Sequence, residues 1–174
     1  RQKAAQHLEK KVNDQLPSLG LAASVFRITL REEDAGERRP WGLENVHFEL
    51  QSGPDLPFAP LERTASGGEL SRVSLAIQLT VAQATPASSC VYDEVDVGIG
   101  GRVADIVGQK LRALAQNRQI LCITHLPQVA AQGQHHLRVT KLSGDATQVE
   151  LDTLDPTGRT EELARMLGGV EITA

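Results

Sequence analysis

The sequence contains little cysteine and no long apolar run. Its two cysteines, Cys90 and Cys122, lie inside short apolar stretches, where a thiol usually behaves as a small hydrophobic group. No apolar run approaches the roughly 18 residues that a membrane-spanning helix needs, and the first residues lack the hydrophobic core of a signal peptide. We therefore expect a soluble protein with no membrane partner, in a reducing, cytoplasmic setting.

The sequence also lacks an excess of positive charge. Its net charge is −4 and its isoelectric point is near 5.7, so no global basic field indicates nucleic acid as a direct partner. Composition therefore neither supports nor excludes DNA. Some basic residues could contact DNA locally, but a solvated charged face is the favoured interpretation. These residues are Arg27, Arg31, Arg38 and Arg39.

The chain starts without Met and inside a helical pattern, so we expect it to be part of a larger protein. Over residues 1–16 an apolar stripe predicts a helix, which Pro17 ends. The stripe consists of Ala5, Leu8, Val12 and Leu16. This helix fits either the end of a coiled coil or a short helix packed on the domain.

Strand and helix patterns then alternate along the chain. Residues 23–32 and 44–51 alternate with period two and predict a half-buried antiparallel pair. Segment 67–85 predicts a helix, and an apolar strand follows over 88–94. The predicted apolar face of the helix consists of Leu70, Val73, Ile77 and Val81.

A second helix and strand repeat this order. The patterns predict a helix over 101–117 and a buried strand over 119–125, which together with the preceding helix and strand indicates a parallel sheet covered by helices. A peripheral hairpin over 135–154 and a closing helix over 161–167 follow. The sequence therefore predicts one globular α/β domain.

The first candidate functional group follows the strand CVY. An apolar strand that ends in Asp93-Glu94 is typical of nucleotide hydrolases, in which the first carboxylate supports Mg²⁺ and the second deprotonates the attacking water. The structural alternative is a chance pattern, with Asp93 capping the next turn.

His125 ends the second predicted strand. Since the carboxyl ends of parallel strands share one sheet edge, His125 can reach the same crevice as Glu94 and donate to a phosphate. A lone histidine at a strand end is more often structural.

The segment Ser66-Gly67-Gly68-Glu69 starts the predicted helix. Ser66 and Glu69 form a capping box, in which each side chain binds the other residue's free N–H group. The two glycines lower helix propensity by about 1 kcal/mol each, and they leave the N–H groups at the positive end of the helix open to close approach. An anion such as phosphate is the ligand that this arrangement favours.

A glycine-rich loop, VDVGIGG, follows Glu94 and contains Asp96. It indicates a flexible or closely approached contact surface. Nowhere does the sequence contain GxxxxGK[ST], so the phosphate-cradling lysine of a Walker A loop is missing.

Four segments match known motifs in a fixed order. ASGGE at 65–69 resembles a signature motif, CVYDE at 90–94 a Walker B strand, VDVGIGG at 95–101 a D-loop and THLPQVAA at 124–131 a switch-histidine region. The chain thus resembles the C-terminal part of an ATP-binding-cassette ATPase head of the SMC branch. The resemblance is closest to bacterial members that repair DNA double-strand breaks, and it covers most of residues 60–142.

The resemblance implies an α/β fold, the C-terminal lobe of a P-loop ATPase head with a parallel sheet flanked by helices and peripheral antiparallel strands. It divides the chain into the end of a coiled-coil helix at 1–18 and the lobe at 19–174. The implied partners are an N-terminal lobe with Walker A, a second head that sandwiches ATP and Mg²⁺, and DNA ends or single-stranded regions. The implied activity is ATP hydrolysis in DNA repair and recombination near the nucleoid, with the isolated chain inactive.

The resemblance also implies residue roles. Asp93 would support Mg²⁺, Glu94 would be the general base and His125 would sense the γ-phosphate. The residues implied to bind ATP across the head interface are Ser66, Gly67, Gly68, Glu69 and Asp96. Ala65 and Glu69 depart from the common LSGGQ form, and VDVGIGG departs from the usual D-loop.

Three alternatives remain open. A transporter nucleotide-binding domain lacks support from any membrane-coupling segment. A non-catalytic clamp or interaction module could dispense with Glu94. A metal-dependent phosphohydrolase could use Asp93, Glu94, Asp96 and His125 without Walker A.

Overall fold

The computed structural model describes residues 1–32, 44–64, 66–81, 89–142 and 148–168. Several predictions lie outside these residues, namely those on Arg38, Arg39 and Ala65, on 82–85 and 88 of the predicted helix and strand, on 143–147 of the hairpin and on 169–174 of the predicted lobe. The described residues form six α-helices and three small sheets, and the buried hydrophobic core lies within residues 12–129.

Helix α1, Gln2–Gln15, continues into a 3-10 turn, Leu16–Leu19. In the predicted stripe, Val12 and Leu16 are fully buried, and Leu8 is partly buried against the core. The second half of the helix is therefore packed on the domain. A coiled-coil role for 1–18 stays a prediction.

Strand β1, Val25–Glu32, pairs antiparallel with β2, Glu44–Gln51, which confirms the predicted pair. Strand β3, Ala59–Pro60, adds to the far side of β2. Helix α1 covers the other edge of β1, because Asn13 donates to the carbonyl of Phe26 and accepts from its N–H, both at 2.8 Å. The edge strand thus obtains hydrogen-bond partners from a side chain.

Helix α3, Gly67–Val81, follows the short helix α2, Leu61–Thr64. Its buried residues are Gly68, Arg72, Val73, Leu75 and Ala76. Leu70 is 39% exposed, so the predicted apolar face is wrong at that position. The first turns of α3 pack Gly68 and Arg72 against a loop, which turns Leu70 toward solvent.

Strand β4, Ser89–Tyr92, and strand β5, Gln119–Cys122, are joined through helix α4, Gly101–Leu114. They pair in parallel, with Val91 opposite Leu121, which confirms the predicted strand order. Both strands are shorter than predicted.

One face of this parallel pair is open. Val91, Leu121 and Ile123 are 66%, 42% and 60% exposed, so the prediction of fully buried strands is wrong for that face. On the other face, burial raises the pKa of the Cys122 thiol to about 12, and the negative charges of Asp96 and Asp93 add to the increase. This thiol is neutral and behaves as the predicted small hydrophobic group.

The remaining elements are helix α5, Pro127–Ala130, strands β6, Leu137–Leu142, and β7, Gln148–Thr153, and helix α6, Pro156–Gly168. The strands β6 and β7 form the predicted antiparallel hairpin. Helix α6 starts before the predicted residue 161, since Asp155 caps it by accepting a hydrogen bond from the N–H of Gly158 at 2.7 Å. Within the described ranges, no helix has the length and apolar character required to cross a membrane.

A buried carboxylate links strands β1 and β2. Glu49 is 3% exposed and accepts hydrogen bonds from Arg27 at 2.7 and 3.0 Å and from Arg31 at 2.7 Å. Burial by itself raises the pKa of the Glu49 carboxyl, but the hydrogen bonds and positive charges of the two arginines outweigh it, and the pKa lies below its ordinary value of 4.5. Glu49 therefore stabilises the fold in its charged form.

We expect Glu49→Gln to lower the free energy of unfolding by about 1–2 kcal/mol at pH 7, since a charged hydrogen-bond acceptor is lost while both arginines stay partly solvated. Because the folded-state pKa is depressed, this contribution is fully present above the ordinary pKa of 4.5 and is lost as the pH falls through the folded-state pKa. Urea unfolding between pH 7 and pH 2 measures it. The exposed Glu150→Gln is the matched control, and equal losses in both variants at pH 7 would contradict this role of Glu49.

Candidate functional site

The start of helix α3 has the predicted capping box. The N–H of Glu69 donates to the Ser66 hydroxyl and the N–H of Ser66 donates to the Glu69 carboxylate, each at 3.3 Å. Ser66 and Gly67 are exposed, so the positive end of α3 is accessible from outside the lobe. The predicted capping box is therefore confirmed.

The close packing around Gly67 and Gly68 is a second reason for glycine at both positions, and sequence reasoning missed it. A Cβ atom on Gly67 would overlap the carboxylate of Glu94. A Cβ atom on Gly68 would lie 2.9 Å from the carbonyl oxygen of Val97 and 3.1 Å from that of Glu94. The glycine pair therefore allows the loop after β4, residues 93–100, to lie directly against the start of α3.

Glu94 has a strained backbone. It has a φ of 57°, the one positive φ among the described non-glycine residues, and such conformations concentrate at functional positions. Its N–H donates to the Asp93 carboxylate at 2.9 Å, and its own carboxylate is exposed beside Gly67. The structure thus brings the predicted base into contact with the predicted phosphate-binding segment.

Asp96 is directed into the lobe. Its side chain is 2% exposed, and one carboxylate oxygen accepts hydrogen bonds from the Thr124 hydroxyl and, at 3.0 Å, from the N–H of His125. The imidazole Nδ1 of His125 lies 3.3 Å from the same oxygen, while the His125 side chain is 69% exposed. Asp96 therefore fixes the turn that presents His125 to solvent, and its predicted role at a head interface stays a prediction.

Loop 93–100 joins the two halves of the site. It contacts the start of α3 through Glu94 and Val97 and the end of β5 through Asp96. Every predicted site residue thus lies at the start of α3, on this loop or in the turn just after β5. Sequence reasoning did not single out Ser71 and Arg72, although an arginine within the apolar pattern ELSRVSLA was a visible signal.

Asp93 is exposed, and the hydrogen bond from Glu94 occupies one of its oxygens. Across the described ranges, no group of three or more His, Cys, Asp or Glu could hold a metal ion. Asp93 therefore fits one carboxylate beside an ion that phosphate oxygens also bind, and it does not fit a metal site built from these residues alone.

The described residues have the fold of an SMC head domain. The crystal structure of an Smc head domain with a coiled coil and joint from Pyrococcus yayanosii matches with a TM-score of 0.65 and 16% identity, covering 94% of this chain and 30% of that one. A structure from work on ATP-driven dimerisation and DNA-stimulated activation of SMC ATPases matches with a TM-score of 0.57 and 15% identity, over 97% of this chain and 96% of that one. At these identities the matches show the fold alone.

The sequence relationship is to the DNA repair protein RecN. The chain is 47% identical over 174 residues to RecN of Xylella fastidiosa (strain Temecula1 / ATCC 700964), an alignment that covers 99% of this chain and 31% of that protein. The resemblance found in the motifs is thus confirmed, and the chain spans about a third of the relative's length. No protein-family model matches the chain.

Proposed function

We propose that this chain is the C-terminal lobe of the ATPase head of a RecN-type protein that acts in DNA double-strand break repair. Residues 19–174 form the lobe, and residues 1–18 form the end of a coiled-coil helix. The observation that carries the proposal is loop 93–100, which connects the exposed start of α3, the carboxylates after β4 and His125 in one lobe.

The open face of the parallel sheet supports a second lobe as partner. Parallel sheets are normally covered on both faces, and two strands are too few to be stable alone. Here Val91, Leu121 and Ile123 leave one apolar face uncovered. An N-terminal lobe that carries Walker A is the partner that we propose to cover it and to complete the nucleotide site.

The proposed chemistry divides between four groups of this chain. Glu94 removes the proton from the water that attacks the γ-phosphate of ATP, and His125 donates to a phosphate oxygen. The exposed start of α3 at Ser66 and Gly67, which is the positive end of the helix, binds the γ-phosphate of ATP held by a second head. Asp93 would support Mg²⁺, which neutralises phosphate charge during the transfer.

The remaining partners follow from the relatives. We propose that two heads close on ATP and that DNA, at ends or single-stranded regions, is the substrate of the whole protein. Of the basic residues considered for DNA contact, Arg27 and Arg31 are both paired with Glu49. Arg38 and Arg39 lie outside the described residues.

The test is ATP hydrolysis by the 174-residue chain alone and mixed with a separate chain that carries the Walker A lobe. We expect turnover only on mixing. If the two chains associate and bind ATP but hydrolyse none, the lobe is an interaction module. Turnover of simple phosphate esters by this chain alone would favour the phosphohydrolase.

A further inference from the structure

Arg72 is buried inside the lobe at the second turn of α3. Arg72 is only 5% exposed. Burial lowers the pKa of its guanidinium, and the negative charge of Glu69 partly offsets this decrease. A buried arginine is costly unless hydrogen bonds compensate for the water it has lost. Its partners therefore indicate why the position is an arginine.

The Arg72 side chain has hydrogen-bond acceptors in loop 93–100. Nη1 of Arg72 donates to the carbonyl oxygen of Val97 at 2.7 Å and lies 3.5 Å from that of Val95. These two carbonyls flank Asp96, the residue that holds His125. The same Nη1 would lie 3.1 Å from a Cβ atom on Gly68. One guanidinium thus contacts the phosphate-binding segment and the backbone around Asp96.

A neighbouring contact acts at the other end of the loop. The hydroxyl of Ser71 donates to the carbonyl of Asp93 at 2.6 Å. Loop 93–100 is therefore attached to α3 at its start through Ser71 and at its middle through Arg72. Displacement of α3 along its axis would move Glu94, which lies between these two attachments.

The arginine is not optimised for stability. Its Nε is buried without a hydrogen-bond partner, and leaving a buried donor unsatisfied is unfavourable. An apolar side chain of similar length would avoid that loss, but it would leave the carbonyl of Val97 without its donor at 2.7 Å. The position of the carbonyls, rather than burial, accounts for the residue type.

We propose that Arg72 is a positioning residue that ties the phosphate-binding start of α3 to loop 93–100 and so sets the placement of Glu94 and Asp96. The proposal rests on the proposed function for its catalytic consequence, because phosphate binding at Ser66 and Gly67 is what would displace α3. The attachment itself is a property of this lobe.

Amide hydrogen exchange of the 174-residue chain tests the attachment directly. The N–H groups of Val97 and Ile99 bond to carbonyls inside the loop at 3.2 and 3.4 Å. In Arg72→Met we expect both to exchange about tenfold faster or more, with the amides of β1 and β2 unchanged. Arg112→Met, at an exposed position on α4, is the matched control and should change neither. Unchanged exchange in the loop, or an equal increase throughout the chain, would overturn the proposal.

Kinetics of the mixture with the Walker A lobe test the consequence. We expect Arg72→Met to reduce kcat by about tenfold or more with KM changed less than twofold, because positioning of the base is lost while nucleotide binding is kept. Arg72→Lys keeps the charge and one donor, so it should recover part of kcat, and it replaces the methionine variant if that variant does not fold. A raised KM with unchanged kcat would overturn the positioning role. If the wild-type mixture hydrolyses no ATP, the proposed function is overturned instead. The exchange experiment would still decide whether Arg72 attaches loop 93–100 to α3.

Discussion

Replacing Glu94 with glutamine is expected to abolish ATP hydrolysis by this chain in mixture with the Walker A lobe. The substitution keeps the size and hydrogen-bonding shape of the side chain but removes its ability to accept a proton. General-base catalysis contributes about 10²–10⁴-fold to rate, so kcat should fall by that factor. Association of the two chains and binding of ATP should be unchanged, because the Glu94 side chain is exposed and outside the core.

The matched control for this substitution is Glu62→Gln. Glu62 is an exposed carboxylate on α2, and its replacement should leave both turnover and stability within error. Turnover by Glu94→Gln equal to that of the wild type would remove Glu94 from the catalytic assignment. An ATP-bound dimer that the substitution leaves unchanged, together with a wild-type mixture that does not turn over, would favour the clamp alternative.

Substituting Gly68 with alanine is expected to reduce both stability and activity. The new Cβ atom would approach the carbonyl oxygens of Val97 and Glu94 to 2.9 and 3.1 Å, and backbone atoms cannot move aside as a flexible side chain can. Overpacking costs about 1–3 kcal/mol, whereas the gain in helix propensity from Gly to Ala is at most about 1 kcal/mol. The clash is larger, so we expect a net loss of roughly 1–2 kcal/mol in the free energy of unfolding.

The rate of ATP hydrolysis should fall by more than the loss in the free energy of unfolding accounts for. The substitution pushes loop 93–100 away from α3 and with it Glu94, and a displacement of the base by about 1 Å can cost about 10²-fold in rate. Urea unfolding and ATP hydrolysis in the mixture measure the two effects separately.

Gly100→Ala provides the control. Gly100 has an extended φ of −167°, and a Cβ atom added there meets nothing within 4 Å. Its substitution should change stability by less than about 0.5 kcal/mol. If the Gly68→Ala and Gly100→Ala variants have the same free energy of unfolding and the same turnover, the close approach between α3 and loop 93–100 determines neither stability nor activity.

Local patterns predicted most of the elements correctly. The alternation in residues 23–32 and 44–51 predicted the pair β1 and β2, and the apolar runs predicted the parallel strands β4 and β5. The capping box of Ser66 and Glu69 was readable because its two hydrogen bonds join residues three apart. Patterns of this kind depend on neighbours along the chain, so the sequence contains them directly.

Predictions about exposure were weaker. Leu70 has the spacing of a core residue but is exposed, and Val91 and Leu121 are apolar strand residues on an open face. Periodicity shows which residues share a face of an element. It does not show what packs on that face, and here the loop after β4 takes the place beside the start of α3.

The sequence by itself determined the order of elements, the helix start at Gly67 and the set of polar residues at the strand ends, because each follows from chemistry within a few positions of the chain. Only the tertiary structure decided that Gly67 and Gly68 make room for loop 93–100, that Arg72 binds its carbonyls and that Asp96 points inward to His125. These contacts join residues more than 20 positions apart. Their geometry depends on how α3, β4 and β5 pack against one another, which no local pattern in the sequence specifies.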